Sequence, residues 1–121
     1  PALIDALRLV RLPYHLSAVT QAAAVAALRH SETMLRTVAD IVEQRDRISA
    51  TLAALGYDPY ESGSNFVLFG GVADPQATWR RLCDEGVLIR DVGIPGHLRV
   101  SAGTEEETTA FLDALARIRD E

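Results

Sequence analysis

Apolar residues in the middle of the chain recur at every third or fourth position, and beyond residue 56 they switch to alternation. Leu35, Val38, Ile41, Val42, Ile48, Leu52 and Leu55 form one stripe at helical spacing. The stripe predicts a long helix over about 31–55, stopped by Gly56 in a left-handed conformation. Glu43, Arg45, Asp46 and Arg47 fall mostly on the opposite side and read as a solvated face. Upstream, residues 2–11 read as a short helix that ends before Pro13, because the residue preceding a proline is pushed out of the helical region. Residues 12–16 are expected to be extended. Ser17 then caps an alanine-rich helix over about 18–28, whose small side chains imply close packing on another element.

From residue 57 the pattern predicts strands over 57–60 and 66–69, flanking the turn Glu61-Ser-Gly-Ser-Asn65. Asp74-Pro75 is a cap followed by proline at the first helical position. That helix carries Trp79, Leu82 and Cys83 on one side as far as Gly86. Strands are predicted over 87–90 and 98–101, joined through Gly93-Ile-Pro-Gly96. Thr104-Glu-Glu-Glu107 is a capping box opening a last helix that buries Phe111, Leu112, Leu115 and Ile118. The order β-β-α-β-β-α defines an α/β fold with helices packed on a short, mainly antiparallel sheet. The change of pattern near 28–31 separates leading helices (1–30) from the α/β domain (31–121).

Composition narrows the chemistry. The 121 residues are 48% hydrophobic, enough to bury a core. A net charge of -5 without a basic stripe argues against nucleic acid. No apolar run reaches the length of a membrane span, and no secretory pattern opens the sequence. The single Cys83 excludes an internal disulfide and a thiolate-rich metal site, and fits a reducing, cytoplasmic setting. His15, His30 and His97 have neither metal-ligand spacing nor a partner nucleophile, so packing or surface roles are expected and no metal site is assigned. Every one of the 12 basic residues is arginine. A guanidinium cannot replace the amine of a Schiff base, so a reaction needing an internal aldimine cannot run on this chain alone. No phosphate-cradling glycine loop and no nucleophile–base pair is present, which leaves no catalytic and no cofactor-binding residue assigned.

What remains is a pair of arginines. Arg90 and Arg99 bracket the glycine-proline turn, and alternation puts Arg99 on the strand face opposite Leu98 and Val100. On one shared face the two guanidiniums would grip a dianionic small molecule. The residues alone leave open the alternative that both are exposed and pair with Asp91 or Glu105. Tyr14, after Pro13 in the extended segment, offers a phenol to a ligand or a neighbouring subunit, or else packs at a helix junction.

Four segments in order carry a resemblance: Arg11-Leu-Pro-Tyr14-His-Leu-Ser17, Ser62-Gly-Ser-Asn65-Phe-Val-Leu-Phe69, Gly86-Val-Leu-Ile-Arg90-Asp and Leu98-Arg99-Val-Ser-Ala-Gly103-Thr104. Together they resemble the C-terminal third of the histidinol-phosphate aminotransferases, fold-type I enzymes that use pyridoxal phosphate. The resemblance implies that residues 1–30 end the large domain and connect it to a small C-terminal domain at 31–121. It implies Arg99 on the substrate α-carboxylate, Arg90 on a phosphate or second anionic end, and Tyr14 reaching into the partner subunit of a homodimer. The Schiff-base lysine and the cofactor ligands would lie upstream. The whole protein would then interconvert L-histidinol phosphate and imidazole acetol phosphate with 2-oxoglutarate and glutamate, in cytoplasmic histidine biosynthesis, and the fragment alone would be inactive. His15 stands where that family usually has asparagine. Competing readings are an aromatic-amino-acid aminotransferase fragment, a ferredoxin-like regulatory module that binds an amino acid, and a dimerisation or scaffold domain.

Overall fold

Start and stop signals act where the sequence writes them. The computed structural model describes residues 2–11 and 16–120. Its elements are helices α1 (Ala2–Val10), α2 (Ala18–Arg29) and α3 (Ser31–Ala54), strands β1 (Asp58–Pro59) and β2 (Phe66–Gly70), helix α4 (Pro75–Asp84), strands β3 (Arg90–Asp91) and β4 (Leu98–Ser101), and helix α5 (Glu105–Asp120). Ser17 Oγ accepts from the Thr20 amide at 3.1 Å to open α2. Asp74 Oδ1 does the same for the Ala77 amide at 2.9 Å ahead of Pro75. The capping box of α5 is reciprocal: the Thr104 amide donates to Glu107 Oε2 at 2.8 Å, and the Glu107 amide donates to Thr104 Oγ1 at 3.2 Å. Gly56 (φ 84°) ends α3 by the two bonds of a Schellman motif, Tyr57 N–H to Leu52 C=O and Gly56 N–H to Ala53 C=O.

The chain divides into two compact units, residues 1–34 and 35–121. In the first, neither α1 nor α2 has a buried residue. The close packing expected for the alanines of α2 is therefore absent among the described residues, where Ala27 is half-buried and its neighbours are exposed. Alanine forms helix by propensity alone, so an alanine-rich run predicts the helix and not a partner.

The second unit holds the core. Its four strands run in the order β1-β2-β4-β3, antiparallel throughout. Val67, Phe69, Leu98 and Val100 on one sheet face meet Ile48 and Leu52 of α3, Leu82 of α4, and Phe111 and Leu115 of α5. The α3 stripe is thus used over half its length: Ile48 and Leu52 are fully buried, whereas Leu35 and Val38 are 65% and 52% exposed. Arg45 and Arg47, expected on a solvated face, are half-buried instead. Arg45 reaches Ser64 C=O at 3.5 Å, and Arg47 bonds Glu105 C=O at 3.4 Å and Thr109 Oγ1 at 2.8 Å. Long arginine stems lie along apolar surface and carry their charge to distant carbonyls.

Strand β3 departs most from expectation. It covers Arg90–Asp91 and not 87–90. The preceding backbone is taken by α4: Val87 N–H closes the Schellman motif at Gly86 on Leu82 C=O at 2.8 Å, and Trp79 Nε1 donates to Ile89 C=O at 3.0 Å.

Candidate functional site

The sheet has a second face, turned away from the core. Apolar Leu98 and Val100 claim the core side of β4, so Arg99 and Ser101 must project from the other. In the register of β3 on β4, Arg90 stands directly opposite Arg99, so both arginines share that open face. Leu68 of β2 continues the same row beside Arg99, and Phe66 lies opposite Ser101. Facing residues of an antiparallel pair have α-carbons about 4.5–5.5 Å apart, well within the reach of two arginine side chains toward one ligand.

Their environments differ. The Arg99 guanidinium carbon sits 4.7 Å from the centroid of the Phe66 ring, a cation–π contact. Its Nε is buried without a hydrogen-bond partner. Arg90 is exposed and borders a cavity of about 380 Å³ with Gln76, Trp79 and Arg80. The pairings that would make the two arginines ordinary are not formed among the described residues. Asp91 spends its carboxylate on the Gly93 amide at 2.9 Å, and Glu105 meets Arg47 through its carbonyl. Like charges directly opposed across two strands cost roughly 0.2–1 kcal/mol. Here no carboxylate among the described residues is bonded to either guanidinium to offset that cost.

The turn between the arginines is held from three sides. Gly93 and Gly96 take positive φ (71° and 74°), which glycine adopts without strain. Val72 N–H donates to Gly96 C=O at 3.1 Å. His97, expected in a surface or packing role, sits in a hydrogen-bonded chain: Nδ1 lies 2.7 Å from Pro95 C=O, and Nε2 lies 3.1 Å from the Tyr60 hydroxyl. A carbonyl only accepts, so Nδ1 carries the proton and Nε2 accepts from Tyr60 O–H. The signal that could have found this pair is Gly70, where a β-carbon would come within 3.1 Å of His97 Nε2.

Gly103 of the Leu98-Arg99-x-x-x-Gly103 segment also has a steric reason. A β-carbon there would lie 2.3 Å from Glu107 Oε2, the oxygen that caps Thr104. Cys83 is half-buried and free. Tyr14 and His15 lie outside the described residues. Among the described residues no cluster of three potential metal ligands occurs, and no helix is long and apolar enough to cross a membrane. The open face sets two guanidiniums opposite each other without a bonded carboxylate among the described residues.

Comparison with known proteins places the chain. The family model for aminotransferase class I and II matches residues 1–115. The histidinol-phosphate aminotransferase of Paenarthrobacter aurescens is 62% identical over 99% of this chain, and that of Streptomyces avermitilis is 56% identical over 100% of this chain. The chain spans about a third of these relatives, 32% and 33%. Among solved structures, a Burkholderia pseudomallei protein assigned as an aminotransferase superposes with a TM-score of 0.86 at 31% identity, over 98% of this chain and 38% of that one. The histidinol-phosphate aminotransferase of Clostridium acetobutylicum shares the fold at a TM-score of 0.78 and 20% identity, over 98% of this chain and 38% of that one. The chain belongs to the class I and II aminotransferases.

Proposed function

We propose that this chain is the C-terminal third of a histidinol-phosphate aminotransferase, and that it anchors the substrates of that enzyme through Arg99 and Arg90. The complete protein would exchange an amino group between L-histidinol phosphate and 2-oxoglutarate, giving imidazole acetol phosphate and glutamate. The observation that carries the reading is the opposed arginine pair on the open sheet face, charged and without a carboxylate partner among the described residues. Both amino donors carry anions away from the reacting nitrogen: a phosphate monoester on one, two carboxylates on the other. Arg99, held against Phe66, suits the carboxylate nearest the amino group; Arg90, exposed, suits the phosphate or the second carboxylate. On glutamate, which has two carboxylates, the arginines would fix both ends and orient the carbon–nitrogen bond that reacts. Histidinol phosphate has a single anionic group, its phosphate, and would engage Arg90 through it.

Pyridoxal phosphate supplies the electron sink in this family. With no lysine among its 121 residues, this chain does not carry the cofactor's covalent attachment, which belongs to residues outside it. In a cytoplasmic homodimer, Tyr14 would serve the neighbouring subunit's site.

Arg99→Gln in the complete enzyme tests the reading. A hydrogen bond to a charged group is worth about 1.5–3 kcal/mol, so KM for glutamate should rise roughly 10- to 150-fold while cofactor absorbance and folding stay unchanged. Unaltered substrate kinetics would remove the assignment. A kcat/KM favouring an aromatic amino acid over histidinol phosphate would replace the substrate and leave the arginines in place.

A further inference from the structure

We propose that His97 is a positioning residue: its imidazole locks the 93–96 turn onto the sheet and so keeps Arg90 and Arg99 opposed. The inference rests on the substrate-anchoring role of those arginines. Contacts with three residues fix the ring. Nδ1–H donates to Pro95 C=O at 2.7 Å, inside the turn itself. Nε2 accepts from Tyr60 O–H at 3.1 Å, and Tyr60 follows β1 at the far edge of the sheet. The ring lies against Gly70, which leaves no β-carbon in its way, and tilts against the Tyr60 ring with centroids 5.7 Å apart.

The consequence follows from chain connectivity. Strand β3 has two residues, and its pairing to β4 consists of Arg90 with Arg99 and Asp91 with Leu98. A pair so short gains little from its own ladder, and two like charges face each other across it. What holds β3 in register is therefore its two flanks: the Trp79 bond to Ile89 C=O at 3.0 Å on one side, and on the other the turn that returns the chain to β4. His97 stands two residues before Arg99 and bonds back to Pro95, closing that turn. It also ties the turn across β2 to Tyr60, so the arginine pair is braced against the whole width of the sheet. Releasing the ring lets Arg90 drift relative to Arg99 and loosens the grip on a ligand that both hold. The core face is untouched by such a change.

The test uses the complete enzyme with glutamate as the varied substrate, whose two carboxylates engage both arginines. A hydrogen bond contributes about 0.5–1.5 kcal/mol, so His97→Ala should raise KM about fivefold and leave kcat within about twofold. His97→Asn places an amide nitrogen where Nδ1 stands, keeps the bond to Pro95 and loses the one to Tyr60, so its KM should lie between the parent and His97→Ala, about twofold to threefold above the parent. Tyr60→Phe keeps the ring and removes the hydroxyl, and is expected to raise KM about twofold to threefold; it decides the matter if His97→Ala does not fold. A parental KM in the foldable members of this set, even with a lowered unfolding midpoint, overturns the proposal, as does an Asn variant as weak as the Ala variant. Arg99→Gln run in parallel separates the two ideas. A raised KM there beside a parental KM at His97→Ala sinks the positioning role alone, whereas a parental KM at Arg99→Gln sinks the anchoring role beneath it.

Discussion

Phe69 and its neighbour Leu68 stand on one strand and face opposite worlds. Phe69 is fully buried among Leu98, Tyr57 and Phe111, whereas Leu68 belongs to the row that holds Arg99 and Arg90. The face that Phe69 belongs to is apolar and closed by three helices. The other pairs two cations and leaves a guanidinium nitrogen buried without a partner. A protein selected for stability alone would not place like charges opposite each other there. The contrast teaches that one side of this small sheet carries the structure, which leaves the other free for the recognition proposed for it.

The sharpest way to break that division is to truncate both neighbours. Phe69→Ala should cost about 3–5 kcal/mol of unfolding free energy, and Leu68→Ala less than about 1.5 kcal/mol; similar losses in denaturant titrations would show that the two faces share the load. A smaller effect is expected where β4 passes into α5. In Gly103→Ala the new β-carbon collides with Glu107 Oε2, so the capping box opens at a cost of about 1 kcal/mol, visible as a lowered unfolding midpoint. Gly103→Ala with Glu107→Ala should then cost less than the sum of the two.

The smallest effect belongs to Tyr57, whose ring meets Phe69 edge-on with centroids 5.6 Å apart. Burial pushes its phenol above the ordinary 10.0, and the charge of Arg119 partly opposes the rise. The folded state therefore favours the protonated phenol. Its contribution is complete below pH 10.0 and is lost as pH climbs through the raised folded value. As pH rises above 10.0 the unfolding midpoint should fall, and less steeply in Tyr57→Phe. An identical slope in both would place the phenol outside the core.

Much of this was legible because it is local. The caps at Ser17, Asp74 and Thr104, and the stops at Gly56 and Gly86, act within five residues and appear where the sequence places them. The alternation around Arg99 is equally local and gives the open face. What escaped depends on contacts that periodicity does not encode. Nothing in the alternation of 87–90 says that the Trp79 side chain will take the Ile89 carbonyl and that β3 will begin only at Arg90. Nothing near Leu35 or Val38 says which part of an apolar stripe meets the core. The Tyr60–His97 bond joins residues 37 apart, and no periodicity encodes it.

The packing of Arg99 on Phe66 has an entropic consequence. A side chain already laid against a ring has surrendered its rotamer freedom before any ligand arrives, a cost of up to about 2 kcal/mol for arginine in solution. Exposed Arg90 has not. A ligand held by both arginines, as proposed, would therefore meet one stiff arm and one loose arm: the stiff arm would define where the first anion sits, and the loose one would adjust to how far away a second lies.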